Sequence, residues 1–285
     1  MVHEWRSDAD AFPRAPTQEE WDAMSMEERE RVVASLPDEV TWDEMAMPEG
    51  DLHTEGRRHA WDALWNYFKH RSRRVYVSAE LPIYYPGERR FAPDLLVVLD
   101  VEPHERGKWV VSHEGKGLDW VMEVHVGGDR KKDAEDNVRR YARLGIPEYF
   151  IYDRARERLE AYRLPSPEAR EYVRMEPSRG GYTSEVLELE LRLEGRKLRF
   201  WAGNALLLES EERVERLREL LDRAQRRADE VARETAELVR QREEVARETA
   251  EVVRQREEAE RRREEAERRL AELQGELERL KSRGE

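Results

Sequence analysis

An α/β fold, a mixed sheet flanked by helices and followed by a long C-terminal coiled-coil helix, is predicted by three features of the sequence. First, Trp120 to Val126 is a run of strand-forming residues interrupted only by Glu123 and His125. Second, Asp129 to Leu144 has the pattern of a charged helix, closed by Gly145 with Pro147 beyond it, and Glu148 to Asp153 follows as an apolar strand. Strand, helix and strand at this spacing form a βαβ crossover, which places two parallel strands in one sheet. Third, the chain beyond Asn204 loses its prolines and becomes a charged background punctuated by small apolar residues.

These features divide the chain into an N-terminal arm with short helices (1–40), an α/β domain (41–205) and a coiled-coil helix (206–285). Residues 1–16 contain two prolines and no periodicity, which predicts a frayed arm. Thr17-x-x-Glu20 and Ser25-x-x-Glu28 are capping boxes for two short helices, with Trp21, Met24, Val32, Val33 and Leu36 as their apolar side. Thr41 to Glu44 repeats the start signal before Pro48. From His53 to His70 an amphipathic helix is expected, on which Glu55 and His59, one turn apart, either reach a common cleft or form an ordinary surface pair.

Strands are predicted at Val75–Leu81 and Asp94–Leu99, separated by a turn rich in Pro, Gly and Arg. Lys108 to His113 is expected as an inserted edge strand or hairpin beside the core. Beyond the crossover, Leu159–Leu164, Tyr172–Met175, Val186–Leu193 and Leu198–Phe200 read as short strands that extend or cover the sheet.

In the tail, Glu230–Glu243 and Glu244–Glu257 are nearly the same 14-residue unit, two heptads long. With Leu217 at d, Ala224, Val231, Leu238, Val245, Val252, Ala259, Ala266, Leu273 and Leu280 continue one small or apolar seam. The a seam is poorer, because Arg242, Arg256 and Arg263 interrupt it. At 1.5 Å per residue such a helix reaches ~110 Å. The d seam favours a parallel or antiparallel homodimer through residues 206–281, although the supply of Arg and Glu is also large enough for i, i+4 ion pairs along a lone helix.

Glu123 sits in an apolar strand, where a carboxylate requires a partner, a proton or a cation. Asp94 opens the other strongly apolar run, and paired strands would bring the two carboxylates together. Such oxygen ligands suit a hard divalent cation, Mg2+ or Mn2+. Simpler alternatives are an arginine ion pair for Glu123, a strand-entry turn for Asp94 and a rim position for His125.

Pro93-Asp94 followed by Glu123-Val124-His125 resembles the PD-(D/E)XK nucleases. The run Asp133, Tyr141 and Gly145-Ile146-Pro147-Glu148-Tyr149-Phe150-Ile151-Tyr152-Asp153 resembles the Uma-type branch of bacterial restriction endonucleases. The resemblance spans roughly residues 41–165 and implies a restriction-endonuclease-like fold, a divalent cation on Asp94 and Glu123, and hydrolysis of nucleic-acid phosphodiesters, DNA foremost. Two positions depart from the pattern. His125 stands where the superfamily carries lysine, and Asn137 stands where the Uma-type branch carries it, leaving a neutral donor in place of an ammonium. The candidate catalytic residues are therefore Asp94, Glu123, His125 and Asn137.

Net charge is −13, with 32 basic and 41 acidic side chains in residues 1–205 and 20 and 24 in residues 206–285. A negative globular part argues against a broad, sequence-independent grip on DNA. A small basic cleft could still come from Arg57-Arg58, Arg71 to Arg74, Arg89-Arg90 or Arg130 to Lys132. The chain has no cysteine, no apolar run approaching membrane-spanning length and no signal-like N-terminus, so a cytoplasmic protein is expected. The competing function is a catalytically inactive, nuclease-like binding or scaffold protein oligomerised by its coiled coil. A non-nuclease metal hydrolase has no motif of its own here.

Overall fold

The computed structural model describes residues 13–39, 50–127 and 130–281. The chain forms two compact units, Met1–Arg213 and Val214–Glu285. The first is built on a six-stranded mixed sheet with order β1-β3-β5-β6-β7-β8. Its strands are β1 (Val75–Ser78), β3 (Leu95–Leu99), β5 (Trp120–His125), β6 (Glu148–Asp153), β7 (Arg158–Arg163) and β8 (Val173–Arg174). Of these only β5 and β6 run parallel, with Glu123 opposite Ile151 and His125 opposite Asp153. The crossover between them is α5 (Arg130–Arg143), which stops where Gly145 adopts φ 75° and the Ile146 amide returns to the Tyr141 carbonyl.

Alternation along β5 assigns its two faces. Trp120, Met122 and Val124 join one core with Val97, Phe150, and Ala60 and Leu64 of α3 (Asp51–Lys69). The same core takes Leu189, Leu191, Leu198 and Phe200 from a second, antiparallel sheet of β9 (Gly181–Ser184), β10 (Leu189–Glu194), β11 (Lys197–Ala202) and β12 (Ala205–Leu206). The opposite face packs Val121, Leu96, Val98 and Ile151 against Tyr141 and Ile146. The main sheet is therefore covered on both faces.

Both capping boxes form, Thr17 with Glu20 and Ser25 with Glu28, and open α1 (Gln18–Ala23) and α2 (Met26–Ser35). Trp21 and Leu36 are buried. The helix expected from Thr41 and the first twelve residues of the predicted arm lie outside the described residues. The last part of that arm is not frayed, since Ala15 is buried and Arg14 bridges Arg89.

The segment around Trp109 also differs from expectation. β4 (Trp109–Val110) pairs in parallel with β2 (Ile83–Tyr84) in a separate two-stranded sheet, and α4 (Val111–Glu114) follows directly. Trp109 sets this placement: it is fully buried, stacked on Tyr76 at 5.4 Å, and its amide donates to the Pro82 carbonyl. Strand β9 had no apolar signal because its outward positions are polar and Gly181 has no room for a side chain. A Cβ there would lie 2.6 Å from Arg192 Cγ.

The tail is one helix, α6 (Ser210–Lys281). Its first turn belongs to the globular unit, where the Ser210 amide donates to Asp62 Oδ2 (2.6 Å) and Arg199 holds Glu212 (2.6 Å). Among the described residues no helix is long and apolar enough to cross a membrane.

Candidate active site

Asp94 is the residue immediately before β3, and Leu95 of β3 is registered against Met122 of β5, so Asp94 comes beside Glu123, which lies within β5. The Asp94 amide donates to Glu123 Oε2 (3.3 Å), and the Val124 amide donates to Asp94 Oδ2 (2.7 Å). On the crossover helix, the Tyr141 hydroxyl donates to Glu123 Oε1 at 2.6 Å. From α3, His53 Nε2 lies 3.1 Å from Asp94 Oδ2. Two helices, α5 and α3, thus reach the two adjacent carboxylates from opposite faces of the sheet.

The electrostatics follow from that adjacency. Burial, and after it the neighbouring Asp94 charge, push the Glu123 carboxyl well above its ordinary range, against the opposing Tyr141 hydrogen bond. Burial works against ionisation of Asp94 as well. The hydrogen bond and charge of His53, joined by the Val124 amide, nevertheless hold its carboxyl below the usual range. Burial and the Glu123 charge push the Tyr141 phenol far up, so it stays a donor. The pair is thus short of positive charge, a deficit that either a proton or a cation relieves.

The donor set fits a hard divalent ion. Two carboxylates meet, and Mg2+ characteristically uses one or two carboxylates with water or substrate phosphate completing its shell. Among the described residues no group of three or more His, Cys, Asp or Glu side chains is arranged to hold a metal ion.

Asn137 is half-buried on α5, one turn before Tyr141 and on the same side of the helix. His125 follows Glu123 by two residues and shares its face of β5, and its carbonyl accepts from the Arg154 amide (2.8 Å). The side chains of Lys131, Lys132 and Asp133 lie outside the described part of the chain. Among the described residues, the His53 imidazole lies against Asp94 and forms an ion pair with it when protonated. Glu55 and His59 do not meet each other there: Glu55 pairs with Arg154 (3.5 Å) and His59 with Glu209 (3.3 Å).

His53 carried no mark of its own in the sequence, but Gly56, one turn later in the same helix, is the usable signal. A glycine inside an amphipathic helix marks close backbone approach. A Cβ at Gly56 would lie 2.7 Å from Arg154 Cδ, 3.2 Å from Val124 Cγ1 and 3.3 Å from Tyr152 Cε1. That tight seat on β5 and β6 is what carries His53 to Asp94.

Among the described residues, several members of the arginine runs are engaged by neighbours. Arg57 pairs with Glu80, Arg73 with Asp100, Arg74 with Glu102, and Arg90 is buried against the Tyr84 hydroxyl.

The sequence profile of the Uma2 family, described as "Putative restriction endonuclease", matches residues 20–199. The chain belongs to the Uma2 family. No curated protein matches it. Among solved structures, a putative nuclease belonging to DUF820 from Anabaena variabilis is similar at 18% identity and a TM-score of 0.41, covering 53% of this chain and 82% of that one. The Uma2 match contains Asp94, Glu123, His125, Asn137 and Tyr141, as well as the unpredicted His53.

Proposed function

We propose that this Uma2 protein is a divalent-metal-dependent endonuclease that hydrolyses nucleic-acid phosphodiester bonds, DNA foremost, at the Asp94–Glu123 pair. The observation that supports it is the closeness of these two side chains, with the Asp94 amide on Glu123 Oε2 (3.3 Å) and the Glu123 carboxyl raised by burial and then by the Asp94 charge. Proteins of the restriction-endonuclease-like class generally use a divalent metal, and Mg2+ or Mn2+ fits the oxygen donors here. When bound, that ion polarises the phosphate and makes a water acidic enough to attack.

The remaining work falls to the chain. Asp94 and Glu123 provide the oxygens that hold the ion. Tyr141 fixes the orientation of Glu123, and His53 that of Asp94. His125, on the Glu123 face, orients the attacking water or accepts its proton. Asn137 offers a neutral hydrogen-bond donor where related proteins offer an ammonium, so stabilisation of the developing charge is weaker and turnover slow. The ion pairs of Arg57, Arg73 and Arg74 agree with a narrow contact on nucleic acid instead of a broad basic surface. The protein acts in the cytoplasm as a coiled-coil homodimer joined through α6.

The same asparagine and histidine favour one other reading, a nuclease-like binding or scaffold protein without cleavage. The two separate in one assay. The full chain is incubated with labelled single- and double-stranded DNA and RNA, with Mg2+ or Mn2+ and with a chelator, beside Glu123→Ala of unchanged circular dichroism. Chelator-sensitive cleavage lost in the variant is the expected result. Binding of nucleic acid without cleavage would favour the scaffold, and equal cleavage by both proteins would place the activity elsewhere.

A further inference from the structure

The long helix presents a stripe that nothing within its own unit covers. Leu217, Val231, Leu238, Val245, Val252 and Leu273, all at d, are each 60–64% exposed. A lone helix with this surface would need many intrahelical ion pairs. Beyond Arg213 the described residues form Arg216–Glu219, Arg223–Glu219 and Arg263–Glu267, and none between Ala224 and Arg262. The apolar stripe runs through these central residues, and a second helix laid along it would remove that surface from water.

The charges at a decide how that second helix runs. In a parallel, in-register pair, Arg242, Arg256 and Arg263 would each face the same arginine of the partner. Their flanking g positions would be the partner's Gln241, the partner's Gln255 and the partner's Arg262, so the partner offers none of them a carboxylate at g. Two of the three layers would also alternate with the small Ala259 and Ala266.

Reversing one helix changes every one of these contacts. With the helices antiparallel and fully overlapped, a faces d. Arg242, Arg256 and Arg263 then oppose the partner's Val252, the partner's Leu238 and the partner's Val231. Their stems cover apolar side chains while the guanidinium groups snorkel to the rim. There the partner's Glu248 lies within a turn of Arg242, and the partner's Glu234 within a turn of both Arg256 and Arg263. Leu221 also meets the partner's Leu273. Two like-charge contacts remain: Arg227 with the partner's Arg269 at the rim, and Glu248 with its own copy at the dyad, the latter offset by the flanking Arg242 side chains.

We propose that α6 pairs with a second copy of this chain as an antiparallel, fully overlapped coiled coil. This rests on the homodimer reading above and adds its direction. The absence of cysteine makes the test direct, since one introduced thiol gives one spin label per chain. Full-length Glu215→Cys and Glu272→Cys, both at exposed positions, are labelled singly and together, after sedimentation has fixed the oligomeric state.

In the antiparallel dimer the singly labelled chains show separations of about 95 Å and about 75 Å, from the 1.5 Å rise. The doubly labelled chain adds a separation near ~20 Å, because the helix axes lie ~10 Å apart. A dimer in which each singly labelled chain gives ~20 Å is parallel and overturns the orientation while leaving the dimer standing. Monomers at micromolar concentration overturn both. Glu234→Lys with Glu248→Lys provides an independent measurement. It raises the dimer dissociation constant about tenfold or more if these residues meet the arginines, whereas an unchanged constant contradicts the pairing.

Discussion

The Tyr141 hydroxyl reaches Glu123 Oε1 at 2.6 Å from the far side of the βαβ crossover, so the helix that makes β5 and β6 parallel also holds the central carboxylate in place. The ring is itself fixed, tilted on Phe91 at 5.3 Å and edge-on to Tyr149 at 4.9 Å. Tyr141→Phe keeps those ring contacts and removes only the donor. The expected cost is about 1.5–3 kcal/mol when Glu123 is ionised, the range for a hydrogen bond to a charged group. Because the lost bond favoured the charged form, Glu123 rises further and the pH midpoint of cation binding moves upward. A midpoint that stays put in a pH series of cation titrations would show that the hydroxyl does not support Glu123.

Glu123 gives the pH prediction. Its folded-state pKa lies above the unfolded value, so its contribution to stability is fully present below the unfolded pKa of about 4.5 and is lost as pH rises through the raised folded pKa. Glu123→Gln removes the charge while keeping the shape. Without added cation the variant should therefore melt above wild type at pH 8, by about 1–3 kcal/mol in stability. The gap should narrow toward pH 4. Calorimetric melting across that range checks the sign, and a variant less stable at pH 8 would mean that Glu123 is a stabilising ion-pair partner.

Gly56 predicts a substitution that intrinsic propensity gets wrong. Alanine is the better helix former by about 1 kcal/mol, yet its Cβ would press on Arg154, Val124 and Tyr152. Overpacking of this kind costs about 1–3 kcal/mol. Gly56→Ala should lower the melting temperature and, by lifting the start of α3, loosen the His53–Asp94 contact. A stabilised variant with unchanged cation affinity would show that the helix can move away without consequence.

Legibility in the sequence followed the strength of each local signal. The crossover could be read because strand period, Gly145 and Pro147 agree, and both capping boxes formed because each is complete within four residues. The approach of Asp94 to Glu123 could be anticipated because two apolar strands each carry a carboxylate that needs relief. His53 could not, since its contact with Asp94 spans 41 residues and depends on how closely α3 sits on the sheet. The pairing of β2 with β4 escaped for a related reason: two-residue strands carry no period, and burial of Trp109 determines their place.

Cation binding by Asp94 and Glu123 is read from titration of the full chain with Mn2+, followed by the loss of the free-ion paramagnetic resonance signal. Wild type should bind one ion per chain, and Asp94→Asn and Glu123→Gln should each weaken binding by tenfold or more with the fold unchanged. Wild-type protein that leaves the Mn2+ signal untouched at millimolar concentration, or variants that bind as wild type does, would contradict cation binding at this pair.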